Sequence, residues 1–182
     1  GREVQQTLRQ AIKKSRGLSH ELSPPILRQT ELGTALEWLA DQMQEIHQFT
    51  VEIEVEPDAE PQDDSLVIFL FRAVQELLFN ARKHAGTDRA TVRLRRTGTE
   101  IEIRVDDEGR GFDPSILEAG ESSPTGFGLF SIRERIALLG GRMEVCSAPG
   151  HGSHMRLIAP FAPVAAKGKY GSSSSEADGD GG

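Results

Sequence analysis

Cysteine is nearly absent from this 182-residue chain: the single one, Cys146, cannot close an internal disulfide, so no covalent staple holds the fold. Its place in the alternating Met143-Glu144-Val145-Cys146-Ser147 suggests a strand, and one unpaired thiol fits a reducing compartment. Long apolar runs are missing too. None approaches the roughly 20 residues that a membrane-crossing helix needs, and no signal-peptide pattern is present, so the chain reads as cytoplasmic, with any membrane anchor supplied by other segments. Excess positive charge is also lacking. The formal net charge is -7 and the Lys and Arg residues are scattered, which excludes a dedicated nucleic-acid binder, because phosphate backbones are held by clustered cations. No Gly-Lys-Ser/Thr phosphate loop occurs, and no histidine has metal-ligand spacing with a cysteine or a second histidine.

Periodicity, by contrast, is plain. Val4, Leu8, Ala11, Ser15, Leu18 and Leu22 recur at spacings of four and three, the seam of a helix that needs a partner, and Ser23-Pro24-Pro25 stops it. Leu32, Leu36, Leu39, Met43 and Ile46 mark a second amphipathic helix ending near His47, with Trp38 on its flank as a packing residue. Val51, Ile53 and Val55 alternate with Glu52, Glu54 and Glu56, a strand with one wet face. Asp63-Asp64-Ser65 supplies cap chemistry for a helix whose apolar period runs from Leu66 to about Ala85. Strands are predicted at Ala90 to Arg95, Ile101 to Asp106, Arg142 to Ser147 and Ser153 to Pro160, with a helix at Ser131 to Leu139 closed by Gly140-Gly141. The mixture lacks strict alternation of strand and helix, which predicts an α+β sandwich with helices on one face of a mixed sheet. The chain starts at Gly1 in the middle of a helical pattern, as an excised fragment would. Residues 163–182 are poor in apolar side chains and are expected to be disordered, leaving one domain over residues 25–162 and a helical stump over 1–24.

Four polar clusters carry the chemistry. At about 100° per residue, Glu76, Asn80 and Lys83 share a narrow arc of one helix, with His84 beside them. Such a face is often merely solvated. An amide oxygen is also a suitable hard ligand for Mg²⁺, and Lys83 and His84 suit phosphates. Asp107 closes a strand pattern, and Gly109 and Gly111 let the backbone turn tightly, either in a plain hairpin or against a ligand. A carboxylate there can accept the amine of adenine and would repel the guanine oxygen, favouring ATP over GTP. Asp106 should point to the opposite face. Some fourteen residues without periodicity then lead to Gly126-Phe127-Gly128-Leu129, where backbone amides at a helix start near Leu129 would suit anions. Gly150, Gly152 and Ser153 mark a hairpin or a further ligand contact.

The order of these clusters resembles the N, G1 and G2 boxes and the closing Gly-x-Gly-Ser/Thr of the gyrase and histidine-kinase ATP-binding superfamily. The flanking Gln75-Glu76-Leu77-Leu78-Phe79-Asn80-Ala81-Arg82-Lys83-His84-Ala85 and Gly128-Leu129-Phe130-Ser131-Ile132-Arg133-Glu134-Arg135 resemble histidine kinases of the nitrate-sensor type. The likeness covers Leu18 to Pro160. It implies a left-handed Bergerat ATP site in which Glu76 is the candidate general base, Asn80 binds Mg²⁺ and Lys83 and His84 lie near the phosphates. It further implies that Asp107, Gly109 and Gly111 hold the adenine end, that a short lid leads to Gly126, Gly128 and Leu129, and that Ser153 contributes. In the intact protein it implies a homodimer that passes the γ-phosphate to a histidine and on to a response regulator receiver domain. Phe79 departs from the family, which often carries a small polar residue there.

Ser19-His20-Glu21-Leu22-Ser23-Pro24-Pro25 superficially resembles the phosphoacceptor box of another histidine-kinase class. The nitrate-sensor class aligns better, with Leu22-Ser23-Pro24 ending the second dimerisation helix, Gly33-Thr34-Ala35-Leu36 opening the ATP domain, and the acceptor upstream of Gly1. Two rivals remain: an ATPase or anti-sigma-type serine kinase of the same superfamily, and a non-catalytic module with a degenerate pocket.

Overall fold

The computed structural model describes residues 31–117 and 124–162; the seam from Val4 to Leu22, His20, the middle of the lid segment and the tail lie outside the described residues. The first helix, α1, spans Leu32–His47 and buries Leu32, Ala35, Leu36, Leu39 and Met43, the spacing that one helix face requires. Its first turn is capped from a distance. The Glu60 carboxylate accepts from the Leu32 backbone N–H at 2.7 Å and the Gly33 N–H at 2.8 Å, satisfying two donors that a helix start leaves without partners. Gly33 has no side chain because a Cβ there would press on that carboxylate at 2.8 Å and on the Val55 methyls at 3.3 Å.

Strand β1 (Thr50–Val55) comes next, then helix α2 (Asp64–Asn80). Asp63 caps α2 as its position before the apolar run implies: its Oδ1 accepts from Ser65 N at 2.7 Å and Leu66 N at 3.1 Å. Nine α2 residues are buried, among them Leu66, Phe69, Leu70, Phe71, Val74, Leu77 and Leu78, so this helix is the centre of the core rather than a lid on it. It continues as a π-helical turn, Ala81–Ala85, and stops at Gly86 in the left-handed conformation (φ 70°).

Strands β2 (Arg89–Thr97) and β3 (Glu100–Asp107), a 3-10 turn (Pro114–Leu117), helix α3 (Pro124–Leu138), and strands β4 (Arg142–Ser147) and β5 (Ser153–Pro160) complete the order. The five strands lie in the sequence β1-β2-β3-β5-β4, with β1 parallel to β2 and every other pair antiparallel. The α+β class with a mixed sheet is therefore observed. Val92, Leu94, Ile101, Ile103, Val105, Met155 and Leu157 face the helices and merge with Leu36, Leu70, Leu77, Leu129 and Ile136 in one core. Among the described residues no helix is long and apolar enough to cross a membrane.

The opposite sheet face is a ladder of charges. Arg93 pairs with Glu54 at 2.7 Å, Arg95 with Glu102 at 2.7 Å, and Arg156 with both Glu102 and Glu144. Glu102 is the buried member at 5% exposure; burial pushes its carboxyl up, but Arg156 and Arg95 together hold it below the usual range. The exposed pairs contribute about 0–1 kcal/mol each, so they keep this face wet more than they stabilise it.

Helix α3 starts seven residues before the Ser131 that apolar period alone suggests. Pro124 fits a first helical turn, whereas Gly126 and Gly128 depress local helix propensity and hide the start. Because Glu60 is the side chain that caps α1 among the described residues, Glu60→Ala should lower the unfolding free energy in urea by about 1–3 kcal/mol. Removal of the exposed Glu56 side chain should change it by less than about 0.5 kcal/mol; equal effects from the two would mean that the cap contributes nothing.

Candidate functional site

A cleft opens between the C-terminal half of α2 and the ends of β3 and β5. Leu77, Ala81, Val105, Phe112, Leu129 and Met155 form its apolar walls, and Asn80, His84, Asp107 and Ser153 are its polar members. Asp107, the last residue of β3, is 6% exposed, and its Oδ1 accepts from the Gly109 backbone N–H at 2.9 Å. Alternation along β3 sends Asp106 to the charged outer face, where it meets Arg93, Arg104 and His154.

The loop after Asp107 is packed backbone to backbone. Arg110 N donates to the Ala85 carbonyl at 2.7 Å, and a Cβ on Gly109 would overlap that same carbonyl. Gly111 (φ 60°) leaves room for the carbonyls of Ala148 and Gly152, and Gly152 (φ 70°) for the carbonyl of Asp107. Glycine is required at these positions for close packing of the chain on itself. Gly111 also lines the cleft, whereas Gly109 supports it from behind.

Ser147, which the sequence marked only as a strand end, ties this region together. Its Oγ accepts from Phe112 N at 2.9 Å, donates to the Gly152 carbonyl at 2.8 Å and lies 3.3 Å from Ser153 Oγ. The signal was available in the strand period, which places Ser147 on the cleft face opposite Ser153.

Across the cleft, Asn80 Nδ2 donates to Glu76 Oε1 at 3.3 Å. Gly128, in the opening turns of α3, sits against the Glu76 carboxylate, where a Cβ would overlap Oε1. Glu76, Asn80 and Gly128 are thus brought together, and Gly126 lies in the same first turns of α3. The π turn shifts the facing of the residues after Asn80. Its i→i+5 pattern rotates each residue by less than an α-helix does, which turns Lys83 away from the Asn80 side, while His84, though exposed, stays on that side and lines the cleft. Phe79 points elsewhere, its ring edge-on to His47 at 5.3 Å, which accounts for an aromatic residue at that position.

Burial lowers the pKa of His84 first, and the charges of Lys83 and Arg110 lower it further. The Arg110 guanidinium lies over Gly86, with Nη2 3.1 Å from where a Cβ would stand. The cleft mouth is accordingly electropositive and suits an anion. Among the described residues no three His, Cys, Asp or Glu side chains gather as a metal site. A cation here would take the Asn80 amide oxygen together with oxygens of a bound ligand, the usual arrangement for Mg²⁺.

Comparison with known proteins shows the family and the fold. Residues 65–163 match the family model described as histidine kinase-, DNA gyrase B-, and HSP90-like ATPase. An uncharacterized sensor-like histidine kinase of Chloroflexus aurantiacus is 39% identical over 93 residues, covering 50% of this chain and 16% of that protein. The signal transduction histidine-protein kinase/phosphatase DegS of Bacillus subtilis is 35% identical over 94 residues, covering 52% of this chain and 24% of DegS. The chain therefore spans a quarter or less of these relatives' lengths. The histidine kinase domain of the Erythrobacter litoralis EL346 blue-light activated histidine kinase superposes with a TM-score of 0.56 at 24% identity, over 72% of this chain and 62% of that domain, a likeness of fold.

Since Gly109 packs on backbone that cannot move aside cheaply, Gly109→Ala should cost about 1–3 kcal/mol in a thermal or urea melt. Gly98→Asn, in an open turn with φ 62° that asparagine tolerates, should stay within about 0.5 kcal/mol. Similar melts for the two variants would refute the packing account of Gly109.

Proposed function

The chain belongs to the histidine kinase-, DNA gyrase B- and HSP90-like ATPase family, and we propose that it is the ATP-binding catalytic domain of a sensor histidine kinase. The observation that carries the proposal is that Asp107 of β3 and Asn80 of α2 line one apolar cleft. Their chemistry suits the two ends of a purine triphosphate. The buried Asp107 carboxylate accepts the exocyclic amine of adenine, and the walls made by Leu77, Val105, Phe112 and Met155 pack against the ring. At the other end Asn80 offers its amide oxygen to Mg²⁺, and Lys83, His84 and Arg110 set a positive field for phosphates. Gly126, in the first turn of α3, offers the kind of unpaired helix amide that suits a phosphate, while Gly128, one turn further on, packs against Glu76. Leu129 closes the cleft behind them, and Ser153 adds a hydroxyl at its floor.

Bound Mg·ATP would supply the γ-phosphoryl group and its charge neutralisation. The chain's own residues bind, orient and exclude water, so catalysis rests on positioning and electrostatics. Glu76 is the residue suited to take a proton from an attacking imidazole nitrogen, and its hydrogen bond to Asn80 couples that base to the cation ligand. The acceptor would be a histidine in a dimerisation helix, with residues 1–24 as the end of that element and a response regulator receiver domain as the next recipient. The likeness to a sensor-like histidine kinase at 39% identity and to the histidine-protein kinase/phosphatase DegS at 35% supports this choice over a serine kinase of the same family.

The test is phosphate chemistry. The full-length protein carrying this chain, incubated with γ-labelled Mg·ATP, should gain label that is lost in acid and kept in base, and Asn80→Ala should cut labelling at least about a hundredfold. Acid-stable label on serine would replace this reading with that of a serine kinase.

A further inference from the structure

The polar floor of the cleft is built from two strand residues that oppose each other across the ladder. Asp107 of β3 and Ser153 of β5 are register partners, both line the cleft, and both are buried, at 6% and 5% exposure. The Gly109 N–H occupies Asp107 Oδ1. An ionised carboxylate offers acceptors only, so what the floor can recognise turns on the other group. A serine hydroxyl donates or accepts according to where its proton lies.

That proton is placed by Ser147, which does not itself line the cleft. Ser147 of β4 is the register partner of Ser153, and its Oγ has three neighbours: the Phe112 N–H at 2.9 Å, the Gly152 carbonyl at 2.8 Å and the Ser153 Oγ at 3.3 Å. A backbone N–H can only donate and a carbonyl can only accept. Ser147 therefore takes a hydrogen bond from Phe112 and directs its single proton to Gly152, which leaves one lone pair and no proton for the third contact. Ser153 is then the donor in that contact. Its proton is turned toward β4, its lone pairs are left for the cleft, and the floor presents acceptors from both strands.

The Ser147 hydroxyl thus acts on the cleft in two separable ways. Holding the Phe112 N–H keeps in place an aromatic wall that packs on any purine, whatever its substituents. Turning the Ser153 proton away acts on the substituent alone. An acceptor-only floor suits the exocyclic amine of adenine and repels the carbonyl oxygen that replaces it in hypoxanthine and guanine. A Ser153 proton free to swing into the cleft would donate to that oxygen and relax the choice.

We propose that Ser147 is a positioning residue for nucleotide selection: by fixing Ser153 as an acceptor toward the cleft, it strengthens the preference for an aminopurine over an oxopurine nucleotide. The inference rests on the reading of the cleft as an ATP site. Ser147 touches no nucleotide and acts through Ser153.

The test compares Mg·ATP with magnesium inosine triphosphate, whose base carries oxygen in place of the amine, by calorimetry on the chain and its variants, each first shown to melt cooperatively. Ser147→Ala removes the acceptor of the Ser153 proton, and the ratio of ATP to inosine triphosphate affinity should fall about three- to fivefold, the size of one hydrogen bond. In a Ser153→Ala background the same substitution should leave that ratio unchanged, because no hydroxyl remains to be oriented. A purely structural role would weaken both nucleotides by one factor; that result, or a fall that persists in the Ser153→Ala background, would overturn the proposal. Should Ser147→Ala not fold, Ser153→Ala alone decides, since it keeps the Ser147 bonds to Phe112 and Gly152: the ratio should drop by the same factor, and an unchanged ratio overturns the proposal. Failure of the wider reading looks different. A parent chain that binds neither nucleotide, or both equally, removes the ATP site and the role of Ser147 with it, whereas a preference erased by Asp107→Asn but untouched by Ser147→Ala removes the role of Ser147 alone.

Discussion

The contact on which the site depends is the seam where three stretches of backbone meet with no side chain between them. The turn after β3 lies on the Ala85 carbonyl at the end of the π turn, through Gly109 and the Arg110 N–H, and the 148–152 turn closes on it through Gly111 and Gly152. A Cβ at any of the three glycines would overlap a carbonyl oxygen. The seam fixes the distance between α2 and β3, and with it the width of the cleft that Asn80 and Asp107 share. Ser147 adds the side-chain rivet, bonded to both Phe112 and Gly152. The glycines that sequence reading assigned to ligand contact serve first to let the scaffold close on itself.

The second organising feature is the strand period of two. Along β3, β5 and β4 it sorts neighbours onto opposite faces, so Asp107 and Ser153 are directed to the cleft, with Ser147 on the same face, while Asp106, His154 and Cys146 stand on the charged side. One face needs a dry, apolar pocket with a few polar groups, and the other stays wet through its ion pairs.

Much of this was legible in the sequence because it rests on local periodicity. The bounds of α1, β4 and β5, the Asp63 cap and the outward turn of Asp106 all arise from spacing and capping chemistry. The meeting of Asn80 and Asp107 in one cleft was legible only through the resemblance of the ordered motifs to the ATP-binding superfamily. The rest depends on partners far along the chain. The Glu60 cap of α1 comes from 28 residues away, and no pattern near Leu32 announces it. The π turn has no compositional mark, so a uniform helical advance kept Lys83 on one narrow arc with Glu76 and Asn80, whereas the turn carries it off the cleft. Gly126 and Gly128 made the start of α3 look like a loop, although Pro124 is a good first-turn residue. Ser147 was visible as a strand residue, but its hydrogen-bonding neighbours come from two other segments, Phe112 after β3 and Gly152-Ser153 at the start of β5.

The central claim is that the Asp107 carboxylate reads a purine amine. Isothermal calorimetry of the chain with Mg·ATP and Mg·GTP measures that directly. ATP should bind at least about tenfold more tightly, a difference of about 1.4 kcal/mol, and Asp107→Asn should erase the preference while leaving the fold intact. Equal binding of the two nucleotides, or a preference that survives in Asp107→Asn, would contradict the assignment of the cleft.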